Sequence, residues 1–253
     1  MLNFRNINLV FVIVLILFIV LIGLEFISFN LLVFPVLLYL SILYFGVVNI
    51  HWNFFTKSMN RLKDSKRLLL TFDDGPHPKS TPKILDLLDK YHIKAIFFVI
   101  GKNAEKYPEL IKEIGDRGHQ IGNHSYSHAP TFDIFSVKKM ISDVEKANKL
   151  IESITGKKPE FFRPPFGITN PRINKLIKQS KMVSMGWTFR SYDTTKRSNE
   201  QIIRQMKKNI KGGEIILFHD SMQRTVGLLE LSLPWLVENF DLVDNEIQPS
   251  SVQ

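Results

Sequence analysis

Apolar and polar positions follow three different rhythms along the 253 residues. From Ile7 to Leu24, and again from Leu31 to Ile50, Val, Ile, Leu and Phe run almost unbroken, each run near the ~20 residues that cross a bilayer. Two membrane helices are the direct reading, with Trp52, Phe54 and Phe55 as an interfacial belt. A cleaved signal peptide fits poorly, because a second apolar run follows the first with no small-x-small site between them. From Leu68 onward, short apolar runs alternate with amphipathic stretches every ~20 to 40 residues, the signature of parallel βα units.

In that second part, Leu68 to Phe72 reads as a buried strand that stops on Asp73-Asp74-Gly75-Pro76. Ser80-Thr81-Pro82 starts a helix whose Ile84, Leu87 and Leu88 share a face. A strand from Ala95 to Ile100, a helix from Pro108 to Asp116 and a short strand from Gln120 to Gly122 follow. Ser136 caps a long helix with Val137, Ile141, Val144 and Leu150 inward, closed by Gly156. Phe161-Phe162, the helix Pro171 to Gln179, the strand Met182 to Trp187 and the helix Glu200 to Ile210 continue the alternation. Ile215 to Phe218 is a last buried strand and Val226 to Phe240 a last helix. The expected organisation is a membrane anchor over 1–56, a basic linker over 57–67, one α/β domain over 68–241 and a loose tail over 242–253.

Charge changes this picture little. The formal net charge is +9, but Lys and Arg are scattered over helical faces among Asp and Glu, without a basic stripe interleaved with aromatics, so no nucleic-acid partner is expected. Membrane lipid is the partner expected of the N-terminal helices, in a plasma or inner membrane. Arg5 precedes the first apolar run, and Lys57, Arg61, Lys63, Lys66 and Arg67 follow the second. The positive-inside tendency thus places the domain in the cytoplasm, whereas chemistry on an exported polysaccharide places it outside. With zero cysteines, disulfides, thiolate metal sites and a Cys nucleophile are excluded.

Two adjacent carboxylates at the end of a buried strand need a cation, an Arg or a shared proton to offset them; an ordinary Asp-Asp-Gly surface turn is the alternative. Asp73-Asp74, His124, Arg163, Asp193 and His219 all fall at or just past a predicted strand end, and in a parallel barrel such ends converge on one face. His124 and His128 stand at i and i+4, which on a turn of helix presents both imidazoles to one ion. Two His and one Asp leave open positions for water and substrate, as a catalytic metal requires.

Five motifs in order resemble the polysaccharide deacetylases with a NodB-like domain, carbohydrate esterase family 4. They are Thr71-Phe72-Asp73-Asp74-Gly75-Pro76, Gly122-Asn123-His124-Ser125-Tyr126-Ser127-His128, Arg163-Pro164-Pro165-Phe166-Gly167, Trp187 to Asp193, and Leu217-Phe218-His219-Asp220. The resemblance implies an α/β fold, a distorted or incomplete (β/α) barrel, and a hydrolase that removes acetyl groups from an N-acetylated amino sugar in a glycan. It implies that Asp74, His124 and His128 bind a divalent metal, Zn2+ first, with Co2+, Mn2+ or Ni2+ as alternatives. Asp73 becomes the general base oriented by Arg163, and His219 the general acid set by Asp193. The Phe166 N–H becomes the oxyanion donor, Leu217 the wall of the acetyl pocket and Trp187 a further lining residue. Bland alternatives are a structural Arg163 and a His219 satisfied by Asp220. Two departures stand out: Phe166 where the family usually has Tyr, and Thr194 where a Trp is common. An O-deacetylase of another polysaccharide and a tethered, non-catalytic glycan-binding protein are the competing functions.

Overall fold

The computed structural model describes residues 3–248. Helices α1 (Phe4–Gly23) and α2 (Val33–Val48) form a hairpin around a 3-10 turn at Phe29–Leu32. Tyr39 stacks on Phe11 at 4.0 Å and donates to Asn8 at 2.6 Å. Of the residues in these two helices only Gly46 is buried. Helices apolar on every side and left uncovered are suited to lipid.

The remaining chain alternates strand and helix: β1 (Arg67–Asp73), α3 (Thr81–Lys90), β2 (Ala95–Val99), α4 (Gly101–Lys106), α5 (Pro108–Asp116), β3 (Gln120–Asn123), α6 (Val137–Thr155) and β4 (Phe161–Phe162). Then come α7 (Pro171–Ser180), β5 (Val183–Ser184), β6 (Phe189–Arg190), α8 (Asn199–Asn209), β7 (Ile215–His219), α9 (Gln223–Asn239) and β8 (Asp241–Leu242). Helix starts follow their local chemistry. Ser136 accepts from the Lys139 N–H, Asn170 from those of Arg172 and Ile173, and Ser198 with Gln201 makes a capping box.

The strands lie in the order β5-β4-β3-β2-β1-β7-β6, every pairing parallel, with β8 beside the start of β1. The sheet curls as a half-barrel, and its outermost strands β5 and β6 do not pair. Period-two alternation divides the core. Leu68, Leu70 and Phe72 face the helices with Phe97, Val99, Ile216 and Phe218, while Leu69, Ile96, Phe98 and Ile215 fill the inside of the curl. On the inner face Leu69 and Thr71 lead up β1 to Asp73, and Ile215 and Leu217 lead up β7 to His219.

Three expectations are corrected. The strand expected from Met182 to Trp187 pairs only at Val183–Ser184, and Phe189–Arg190 forms a further short strand. The tail is not loose up to residue 248: β8 pairs with β1, and Val243 and Ile247 are buried in the inner core. The part of that expectation beyond residue 248 lies outside the described residues. Nor is 57–67 a free linker. Met59 pairs with Met185 beside β5, Arg61 pairs with Glu214 at the foot of β7, and Met59 and Leu62 join the inner core.

Candidate active site

Asp73 ends β1, and the register places it directly beside His219 of β7 and beside Phe98 of β2. The Phe98 ring packs under the Arg163 guanidinium at 4.1 Å, a cation–π contact out of water. Arg163 follows β4 and is wholly buried. Its Nη1 donates to Asp73 Oδ1 at 2.6 Å and to Thr71 Oγ1 at 2.9 Å, its Nη2 to the Gly186 carbonyl at 2.7 Å, and its Nε to the Met185 carbonyl at 3.2 Å. A fork held by four acceptors fixes one oxygen of Asp73 and leaves Oδ2 free, 3.8 Å from His124 Nε2.

Asp74, at φ 72°, turns the other way. Its Oδ1 lies 3.5 Å from Nε2 of both His124 and His128, and the three donor atoms fall within 4.8 Å of one another. Donors bonded tetrahedrally at about 2.0–2.2 Å stand about 3.4 Å apart. The set therefore fits a small divalent cation. His124 Nδ1 meets the Arg163 carbonyl at 2.8 Å; as the donor there, it leaves the Nε2 lone pair facing the cluster. The two imidazoles do not share a helical turn, contrary to the i, i+4 expectation. Residues 124–128 form a loop in which Ser125 and His128 have positive φ. That loop is tied down by the Tyr126 and Ser127 N–H groups on Asp143 Oδ1 and by the His128 N–H on Ser125 Oγ.

Electrostatics agree with this geometry. Burial opposes ionisation of Asp74, but hydrogen bonding and attraction from His124 dominate and pull its pKa to about 2. Burial also opposes charge on His124, where Asp73 and Asp74 outweigh it and raise the pKa. His128 is lowered to about 4 by burial and by the neighbouring His124.

His219 lies on the same inner face, 7% exposed. Its Nδ1 is 2.7 Å from Asp193 Oδ1, and its backbone N–H donates to Asp193 Oδ2 at 2.8 Å. Thr225 Oγ1 donates to Oδ2 as well, at 2.8 Å. Burial works against the imidazolium, and the bond to Asp193 overcomes it, so the His219 pKa is raised. Asp220 is not its partner. That carboxyl accepts from Thr81 at 2.6 Å, and burial raises its pKa to about 7.

Phe166 is exposed beside the cluster, its ring 4.8 Å from that of His128. Leu217 is buried on the inner face of β7 one turn of pleat before His219. The Trp187 ring lies under Gly167, where an added Cβ would come within 2.4 Å of it, and 5.8 Å from the Arg163 guanidinium. Thr194 is exposed, so it walls nothing; Tyr192 beside it carries the Arg197 guanidinium at 4.0 Å. All ten expected residues therefore gather at one end of the sheet. Sequence reasoning missed Thr71, although its place two residues before Asp73 on the same strand face was a usable signal. It also missed Thr225 and Asp143, for which the sequence carries none.

Comparison with known proteins places the chain in a family. The polysaccharide deacetylase family model matches residues 60–185. A peptidoglycan-N-acetylglucosamine deacetylase of Bacillus cereus is 35% identical over 178 residues, covering 68% of this chain and 83% of that protein. A second Bacillus cereus protein of the same name is 34% identical over 171 residues, covering 66% of this chain and 62% of its own length. Among solved structures, the family 4 acetyl xylan esterase from Clostridium thermocellum, in complex with a cobalt ion, superposes with a TM-score of 0.64 at 32% identity over 70% of this chain and 87% of that one. The chain belongs to the polysaccharide deacetylase family.

Proposed function

We propose that the chain is a membrane-anchored hydrolase that removes the acetyl group from an N-acetylated amino sugar of a glycan. The observation that carries the reading is the division of labour between neighbours: Asp74 joined to two imidazoles, Asp73 clasped by buried Arg163, and His219 set by Asp193 on the adjacent strand. Asp74, His124 and His128 would hold a divalent cation, which when bound would supply Lewis acidity toward the acetyl carbonyl and the attacking water. Zn2+ suits the donor set, and the Clostridium thermocellum relative was solved with a cobalt ion.

Asp73 Oδ2 takes the proton of that water, with Arg163 keeping the carboxylate aimed. His219 delivers a proton through Nε2 to the sugar nitrogen as the acetyl C–N bond breaks, releasing acetate and a free amine. Its hydrogen bond to Asp193 holds the tautomer and the charge that this step needs. The Phe166 N–H stabilises the developing oxyanion, Leu217 closes around the acetyl methyl, and Trp187 lines the approach. The two N-terminal helices serve as membrane spans rather than a signal sequence, because α2 runs directly into segments packed on the domain.

The test is acetate release from N-acetylglucosamine oligomers and from acetyl xylan, with chelator and after zinc is restored. Zinc-dependent release from the amide substrate is expected. Release from acetyl xylan alone converts the reading to an O-deacetylase, and no release from either leaves only a glycan-binding role.

A further inference from the structure

The end of the second apolar helix is built into the wall of the site. Ile50, two residues past α2, is buried, and a Cβ placed on Gly186 would stand 3.3 Å from its Cδ1. The carbonyl of that same Gly186 holds the Arg163 guanidinium. His51 meets the Trp187 ring edge-on at 5.9 Å, and Trp187 in turn lies 5.8 Å from Arg163. On the other side, the Thr169 N–H donates to the Val47 carbonyl at 3.0 Å and its hydroxyl to that of Gly46 at 3.3 Å. Thr169 is three residues from Phe166, whose ring touches His128. Two independent routes therefore join the last turn of α2 to the cluster through one or two residues each.

Four large apolar side chains are exposed among the described residues beyond Trp52: Ile134, Phe166, Leu231 and Val237. Ile134 and Phe166 belong to this face. The turn carrying Ile134 is bonded to the start of α7, Asn170 donating to the Asp133 carbonyl and Arg172 to that of Ile134.

With α2 in a bilayer, its last turn marks the edge of the hydrocarbon, and the polar layer beyond is only about 5–8 Å deep. Resting on the proposed deacetylase reading, we infer that the substrate is an acetylated amino sugar carried on a membrane lipid, met at the headgroup layer. The hydrolysis is unchanged: water adds to the acetyl carbon, the C–N bond breaks, and the amine stays on the lipid-borne sugar. The anchor is then part of substrate recognition, and a glycan remote from the membrane is a poor substrate.

Two measurements on the full chain in lipid vesicles with zinc test this. The first compares acetate release from N-acetylglucosamine joined by pyrophosphate to a polyprenol, from the same sugar held off the lipid by about 20 prolines, roughly 60 Å of stiff spacer, and from a soluble N-acetylglucosamine tetramer. At least tenfold higher kcat/KM is expected for the short lipid-linked sugar than for either of the others. Equal values for all three overturn the inference and leave the deacetylase reading standing. The second needs no turnover. Because the chain has zero cysteines, Ile134→Cys and Lys157→Cys each offer one thiol for a fluorophore, Lys157 lying by the opposite ends of the strands. Brominated lipid is expected to quench the label at residue 134 and not that at 157. An unquenched label at 134 overturns the inference. Quenching with no acetate from any substrate keeps the membrane-facing geometry and overturns the deacetylase reading with the substrate built on it.

Discussion

Asp73 and Asp74 are adjacent in sequence, and their surroundings give them different tasks. In the proposed mechanism Asp73→Asn keeps the Asp74, His124 and His128 cluster and removes the base, so acetate release is expected to fall by about 10²–10⁴, with zinc stoichiometry unchanged by elemental analysis. Asp74→Asn is expected to lose the metal first, because two imidazoles without the carboxylate offer no countercharge. The pH profile separates His219 from both. Its pKa is raised by Asp193, and in the proposed mechanism it serves as the protonated acid, so activity is expected to be lost as pH rises through that raised value. Asp193→Asn removes the raising interaction, and the alkaline limb of kcat/KM is expected to move to lower pH. Metal affinity runs the other way: the cation must displace the proton on His124, so it weakens on acidification. Gly75 belongs at this scale too. A Cβ there would press within 2.0 Å of the Asp220 carboxylate, which explains why a glycine follows the Asp pair.

The elements show what could be read from the chain and what could not. Strands buried on both faces, β1, β2 and β7, were legible from their apolar runs, and so were the polar residues that end β1 and β7. The i, i+4 spacing of His124 and His128 gave the right partners by the wrong geometry, since a loop tied to Asp143 brings them together. The segment 182–190 was misread because its backbone is spent on Arg163: the Met185 and Gly186 carbonyls bond the guanidinium rather than continuing a strand. Local propensity carries no trace of that long-range demand. Arg163→Ala is expected to cost about 3–5 kcal/mol in urea unfolding, through stranded Asp73 and the two orphaned carbonyls. Tail residues were hidden for a similar reason, their burial depending on strands far upstream. Ile247→Ala is expected to cost about 2 kcal/mol, a loss that a loose tail would not show.

For the whole molecule, the open side of the sheet is the organising fact. β5 and β6 leave a gap, and residues 59–62 lie along it, bonded to Met185 on one side and to Glu214 on the other. Arg61 secures the crossing through the Gly212 carbonyl at 2.7 Å and Glu214 at 2.8 Å. A version beginning at Leu68 loses Met59 and Leu62 from the inner core, each worth about 1.5–3 kcal/mol. It is expected to unfold at a lower temperature than one beginning at Lys57, as differential scanning calorimetry measures.

That crossing strap also sets an order of events. The chain emerges from synthesis as hairpin, strap and then sheet, and the strap has no partner until Met185 and Glu214, more than a hundred residues later, have been made. The hairpin is therefore complete before the seam can be sealed. A protease that cuts between hairpin and strap is expected to release a domain still sealed along the seam but without the Ile50 and His51 packing on Gly186 and Trp187.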